Sequence, residues 1–484
     1  MPEKSLKQKA VKGVAWTAMD SIAQYGIHFF VGLILARLLA PSDYGLIGIM
    51  AIFINLFNAI VDSGFTNALI RKKNANDRDY CTVFYINLVL SVILSVLFFN
   101  SAKFIAIFFN RIELYEITQA MSIIVIVNAF SIVQRARLTK ALEFKIQTKI
   151  SVFSSVISGI IGIIFAYSGY GVWALVVQQL IARALICLLL WWASKWIPRF
   201  DFSKESFIAM WTFGWKLLVS KIIDTTWNQM YQVVIGKCYS PQTLGLFTRA
   251  EQFSSLFSSN ITAVVQRVSY PVLTSIQDDN NRLKLVYKRI IRTTMLLTCI
   301  LMLMMAAIAR SMVYVLIGEQ WLPCVGFLQI LCFTMMFYPL HAINLNMLQV
   351  QGRSDLFLRL EIIKKICLII PIVLGIFIDI YIMLIGSFVF NVFAYYLNAY
   401  YSGPLINYGI LEQVLDIFPS MMTAFSIALP VYLLSYLPFS LYWIFVLQLI
   451  LGVTIGGIVL ELSRNSDYYY LKNVIKTRFN ATKQ

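Results

Sequence analysis

Charge is what this sequence has least of. Asp, Glu, Lys and Arg make up 13% of its 484 residues, about half the share usual in a soluble domain. Too few charges remain to clothe a water-facing surface, so a soluble globule is excluded. Histidine occurs twice, and seven cysteines are scattered singly with no Cys-x-x-Cys, which excludes a metal framework or a disulfide scaffold. No Walker, His-Glu-x-x-His or Gly-x-Ser-x-Gly motif is present, so neither nucleotide hydrolysis nor a covalent intermediate is expected. Long outer loops are missing too. The longest run about 14 residues and are mostly apolar, leaving no platform for a membrane glycan polymerase or ligase. The expected protein is not an enzyme.

What is abundant is hydrocarbon. Hydrophobic residues reach 59% and the mean hydropathy is +0.75. Window after window holds about 20 apolar residues, the length a helix needs to cross ~30 Å of lipid. Fourteen such windows, from 14–36 to 438–461, predict an all-α polytopic membrane protein with both termini on one side. The windows are too long and too uniformly apolar for the alternating strands of a membrane barrel. The turns "APSDYG", "YSGYG" and "IDIY" are nearly free of Lys and Arg, whereas "IRKKNANDRD", "QRARLTKALEFKIQTK" and "RLKLVYKRIIR" on the other side are rich in them. By the positive-inside rule both ends are cytoplasmic. The net charge of +17 is thereby assigned to topology and anionic lipid, with no nucleic acid required. The first window holds Asp20, Gln24 and His28 and lacks a cleavage site, so it reads as a retained span and not as a secretion signal.

One break recurs. "RLLAPSDYGLIG" is echoed two hundred residues later by "GKCYSPQTLGLFT": Pro41 matches Pro241, Gly45 matches Gly245, Leu46 matches Leu246, and Arg37 matches Lys237. The register continues outward. Asn55, Asn58 and Asp62 align with Ser255, Ser258 and Thr262, and Asp20, Gln24 and His28 align with Ser220, Asp224 and Asn228. Residues at i, i+4 and i+8 share one face of a helix, and a polar stripe of that kind avoids lipid. The reading is a duplication: a six-helix bundle over 1–200, a parallel second bundle over 201–402, and two extra helices with a basic tail over 403–484. The tail "SRNSDYYYLKNVIKTRFNATKQ" is expected to lie along the inner leaflet.

The stretch "LARLLAPSDYGLIGIM" resembles the signature of the polysaccharide-transporter family, the O-antigen, lipopolysaccharide and exopolysaccharide flippases of the multidrug/oligosaccharidyl-lipid/polysaccharide exporter superfamily. "VKGVAW", "DSGFTNALIRKK", "SPQTLGLFTRAEQF" and "GEQW" extend the likeness over most of the chain. The resemblance implies transfer of a polyprenyl-diphosphate-linked oligosaccharide from the cytoplasmic to the outer leaflet of a bacterial inner membrane. It also implies work alongside the polysaccharide (capsule, O-antigen, exopolysaccharide) biosynthesis machinery, by alternating access between the bundles. An ion-coupled multidrug exporter and a peptidoglycan-precursor flippase share the superfamily and stand as rivals.

Such a substrate carries a diphosphate, and burying it unpaired is prohibitive, so bases are needed at membrane depth. The spanning bases are Arg37, Arg183, Lys216, Lys221 and Arg249. Arg183 stands near the middle of "VWALVVQQLIARALICLLLWW"; it either contacts the anion or pairs with Asp62 or Asp224. Arg37 and Arg249 either contact the anion or snorkel to the outer interface, and Lys216 and Lys221 either hold the incoming diphosphate or anchor their helix among its tryptophans. The intramembrane acids Asp20, Asp62, Asp224 and Glu251 either neutralise these bases or form a proton or sodium site, with His28 as a relay. Gln24, Asn55, Asn58 and Asn228 complete the expected polar cavity. No cofactor or metal is expected beyond a coupling H+ or Na+, and the working unit is expected to be a monomer among membrane lipids.

Overall fold

A computed structural model describes residues 3–62, 65–72, 75–463, 466–470 and 472–473. Among the described residues there is no strand. The chain is a succession of helices that divides into two compact units, 1–245 and 246–484.

The first unit contains α1 (Glu3–Leu38), α2 (Pro41–Asp62), α3 (Phe65–Arg71), α4 (Asp77–Asn100), α5 (Ala102–Phe109), α6 (Glu113–Lys140), α7 (Phe144–Tyr167), α8 (Val172–Ser194), α9 (Lys204–Asn228) and α10 (Met230–Cys238). It thus includes α9 and α10, which together cover the first span that the duplication reading assigns to the second bundle. α11 (Pro241–Thr274) begins in the first unit and continues into the second. The second unit holds α12 (Asn280–Ile317), α13 (Cys324–Met336), α14 (Tyr338–Val350), α15 (Ser354–Cys367), α16 (Ile369–Phe377), α17 (Ile380–Ser402), α18 (Ile410–Leu433) and α19 (Leu441–Leu462).

Among the described residues ten helices are long and apolar enough to cross a membrane, or eleven if Lys204–Thr212 and Gly214–Asn228, bent by 50°, form one span. The protein is a multi-pass membrane protein. Four of the fourteen expected spans fall outside the ten. The window 14–36 runs partly over residues whose side chains lie outside the described set. The window 208–235 falls on α9, whose 50° bend keeps its two parts from counting as one straight span, and on α10; in α11 the polar residues that mark the recurring stripe lower the mean hydropathy. The window 361–378 is divided between α15 and α16 at Leu368. α12 departs in the other direction: its 38 residues extend to roughly 57 Å, well beyond the hydrocarbon thickness. The surplus is its basic N-terminal part, where Lys284 meets Glu412 at 2.8 Å and Lys288 meets Asp416 at 2.9 Å on α18.

The recurring break folds as its residues dictate. Pro41 starts α2 with its φ already suited to a helix, and the Asp43 carboxylate accepts the Ala40 amide at 3.1 Å. Pro241 starts α11, and the Ser240 hydroxyl accepts the Thr243 amide at 3.1 Å. The two breaks then lie against each other. A Cβ on Gly45 would stand 1.8 Å from the Pro241 carbonyl oxygen, and a Cβ on Gly245 would stand 1.8 Å from that of Pro41. Only a residue without a side chain allows this reciprocal approach of two helix starts.

Elsewhere in the first unit, Phe65, Leu69, Phe84, Val133, Trp196 and Met210 form one apolar cluster that locks α3, α4, α6 and α9 together. Asp79 is fully buried beside it, paired with Lys72 at 2.8 Å and bonded to the Asn76 amide at 3.0 Å. α6 and α9, fixed by that packing, border a polar hollow together with α2 and α8.

Candidate functional site

The hollow is a cavity of about 450 Å³ inside the first unit, built from four helical stripes. α2 contributes Asn55, Asn58 and Asp62; α6 contributes Asn128, Ser131 and Arg135; α8 contributes Arg183; α9 contributes Lys221, Thr225 and Asn228, with Gln229 just beyond its end. On α2 and α6 alike the residues recur at i, i+3 and i+7, the spacing of one helix face. The two stripes are joined where the Asn128 side-chain amide donates to Asn58 Oδ1 at 2.9 Å.

Three bases face one acid in this lining. Arg135, Arg183, Lys221 and Asp62 all expose side-chain surface, and Asp62 also accepts a hydrogen bond from the Thr66 hydroxyl. The charges of Asp20 and Asp62 act on Arg135, and that of Arg135 acts on Arg183. Among the described residues neither guanidinium makes a hydrogen bond or a salt bridge to a carboxylate, so the pairing of Arg183 with Asp62 or Asp224 is not formed. Two neighbouring arginines at membrane depth cost roughly 2.5–3.5 kcal/mol each on insertion scales. Water or an anion must solvate them.

A second cavity, of about 310 Å³, adjoins the first and shares Arg135, Arg183 and Ile186 with it. Its remaining polar lining is Gln24 and His28 of α1, Ser151, Ser155 and Ser158 of α7, and Gln178 and Gln179 of α8. His28 is close enough to Arg183 to sense its charge.

The structure therefore brings together Arg183, Lys221, Asn55, Asn58, Asp62 and Asn228 in one cavity and Gln24 and His28 in the next, with Asp20 acting on the arginine between them. Others stand apart. Lys216 is exposed on α9 outside both linings, Arg37 is exposed at the end of α1, and Asp224 and Glu251 line neither cavity. Arg249 lies in the second unit, buried, with its guanidinium donating to Gln252 at 3.0 Å and lying 5.4 Å from the Trp321 ring centre. Its snorkelling role gives way to a built-in contact.

Arg135 is the residue sequence reasoning missed. It stands one position past the fourth apolar window, where the positive-inside count absorbs it as a loop charge, yet α6 runs on to Lys140 and carries it into the cavity. The signal was the run Asn128, Ser131, Arg135 at one-face spacing. The second unit offers a contrast. A cavity there, of about 260 Å³, is lined by Leu303, Phe333, Phe425, Leu429 and Tyr432, with Gln329 among its few polar groups, and no charged side chain is among its described lining residues.

Residues 34–326 match the family described as "Polysaccharide biosynthesis protein". The chain belongs to this family. It is 23% identical to the teichuronic acid biosynthesis protein TuaB of Bacillus subtilis (strain 168), an alignment covering 73% of each chain. Its fold is similar to that of a solved structure of the lipid II flippase MurJ, captured in an inward closed conformation, with a TM-score of 0.73 at 15% identity over 95% of this chain and 100% of the other. An inward-facing multidrug resistance transporter of the MATE family, from the MOP superfamily, matches with a TM-score of 0.57 at 16% identity, covering 83% and 96%. Both of these solved structures are of transport proteins and neither is an enzyme.

Proposed function

We propose that this member of the polysaccharide biosynthesis family is a flippase. It moves a polyprenyl-diphosphate-linked oligosaccharide from the cytoplasmic to the outer leaflet of a bacterial inner membrane, making and breaking no bond. The observation that carries the reading is the lining of the larger cavity, where Arg135, Arg183 and Lys221 face Asp62 alone. The surplus of two positive charges suits a diphosphate with roughly two negative ones, and the guanidinium fork suits its oxygens. A cationic drug would be repelled by the same lining, which sets the multidrug reading aside. The polyprenyl tail stays in lipid while the polar head crosses. Coupling to H+ or Na+ falls to Asp20, Asp62 or His28 in this proposal, since these titratable groups sit beside the arginine pair.

The test is export in cells. Deleting the gene makes lipid-linked repeat units accumulate in the inner leaflet, and a plasmid copy with Arg183→Glu, present at normal protein level, leaves them there. If Arg183→Glu restores export as well as the unmodified copy does, the anion site is wrong.

A further inference from the structure

The smaller cavity invites a separate question, because its chemistry differs from that of its neighbour. Apart from the shared arginines, His28, Ala182 and Ile186 it is lined by uncharged polar groups, and among the described residues no carboxylate and no aromatic ring of Phe, Tyr or Trp lines it. Amide and hydroxyl groups on α1, α7 and α8 converge there from three directions.

Much of their bonding capacity is unspent. The Ser155 hydroxyl donates to Gln24 Oε1 at 2.8 Å, which fixes the amide and leaves Gln24 Nε2 buried with no partner among the described residues. Gln178 and Gln179 make no side-chain hydrogen bond among the described residues, and each amide offers two donors and an acceptor. Leaving such groups unsatisfied inside a membrane protein is costly. A ligand with hydroxyls on several faces would answer them. The geometry is also deliberate: Gly162 on α7 lets the Gln178 stem approach to where a Cβ would stand only 3.0 Å from it, drawing α8 and its glutamines against α7.

We propose that this cavity is a binding site for the sugar ring attached directly to the diphosphate. This rests on the flippase reading, in which the arginine pair holds the phosphates. The arginines are common to both cavities, so a diphosphate held between them places its glycosidic end at the mouth of the smaller one. At about 310 Å³ the space is at the lower end for ligand sites, large enough for a sugar ring and too small for a whole repeat unit. Gln24, Gln178 and Gln179 then read the ring hydroxyls or an N-acetyl group, and Ser151 and Ser158 line its α7 side. Selectivity for the first sugar resides in these residues, because an amide left unpaired by the wrong hydroxyl pattern penalises that sugar.

The experiment compares two probes on the purified full-length protein in lipid nanodiscs: a short-chain polyprenyl diphosphate, and the same lipid carrying one hexose on its diphosphate. The unmodified protein should bind the hexose-bearing probe at least fivefold more tightly. Gln24→Leu and Gln179→Leu should each erase that preference and leave the sugar-free probe within twofold; Gln179→Ala replaces Gln179→Leu if the latter fails to accumulate. Equal binding of the two probes by the unmodified protein, or glutamine variants that lose both probes alike, overturns the sugar site. Arg183→Ala separates this failure from that of the underlying reading. If the sugar-free probe binds Arg183→Ala as well as it binds the unmodified protein, or binds neither, the diphosphate assignment falls, and the sugar site falls with it.

Discussion

At the scale of the residue, the decisive feature is a pair of arginines whose neutralisation is incomplete. Arg135 has Asp20 and Asp62 in its field, whereas the charge acting on Arg183 is that of Arg135. An anion bridging both relieves their repulsion and gains charge-assisted hydrogen bonds worth about 1.5–3 kcal/mol apiece. Arg135→Ala and Arg183→Ala are each expected to weaken polyprenyl diphosphate binding by about ten- to a hundredfold, since 1.4 kcal/mol is a factor of ten. Lys216→Ala, outside the cavity, should change it less than twofold, and titration of the purified variants checks all three. Arg183 was legible in the sequence because it interrupts a long apolar run. Arg135 was not, because a base one residue past such a run looks the same whether the helix ends there or continues. Only the path of α6 tells the two apart.

At the scale of the element, glycine governs how closely the helix starts meet. Gly45 and Gly245 each oppose a backbone carbonyl at 1.8 Å from where a Cβ would lie, and backbone cannot step aside as a flexible side chain does. Gly45→Ala and Gly245→Ala are each expected to cost about 1–3 kcal/mol or more through overpacking. The reading is a lower yield of folded protein and a lower unfolding temperature in detergent. Gly26→Ala, where nothing among the described residues lies within 4 Å of the added carbon, should not destabilise the protein. The match of the two breaks was visible in the sequence as Pro, Gly and Leu at one spacing. That they touch was not, because a repeated motif specifies repeated local geometry and says nothing of whether the copies meet.

At the scale of the whole molecule, the distribution of basic residues predicts an orientation with a native reporter. Cys238 is exposed at the end of α10, beside the turn 239–240 that precedes α11, which the positive-inside rule places outside the cell. A membrane-impermeant maleimide added to intact cells should label it, and Cys238→Ser should remove most of the signal. The other thiols are buried or half-buried. Labelling that requires permeabilised cells would invert the topology. Diphosphate binding should also weaken as salt is raised, but by less than a surface site would show, because screening is smaller where charges sit within the protein.

The sequence by itself determined the solvent and the scaffold: a chain this apolar has to lie in lipid, and in lipid its backbone has to close its own hydrogen bonds as helices. It also announced that polar stripes at helical spacing would face away from hydrocarbon. Tertiary structure decided which stripes converge. Asn55, Asn58 and Asp62 meet Arg135, Arg183 and Lys221, whereas Arg249 is drawn off to Gln252 and Trp321. Periodicity along one helix fixes a direction for each side chain, but a cavity exists only where several such directions intersect, and the packing of α2, α6, α8 and α9 against one another sets that intersection.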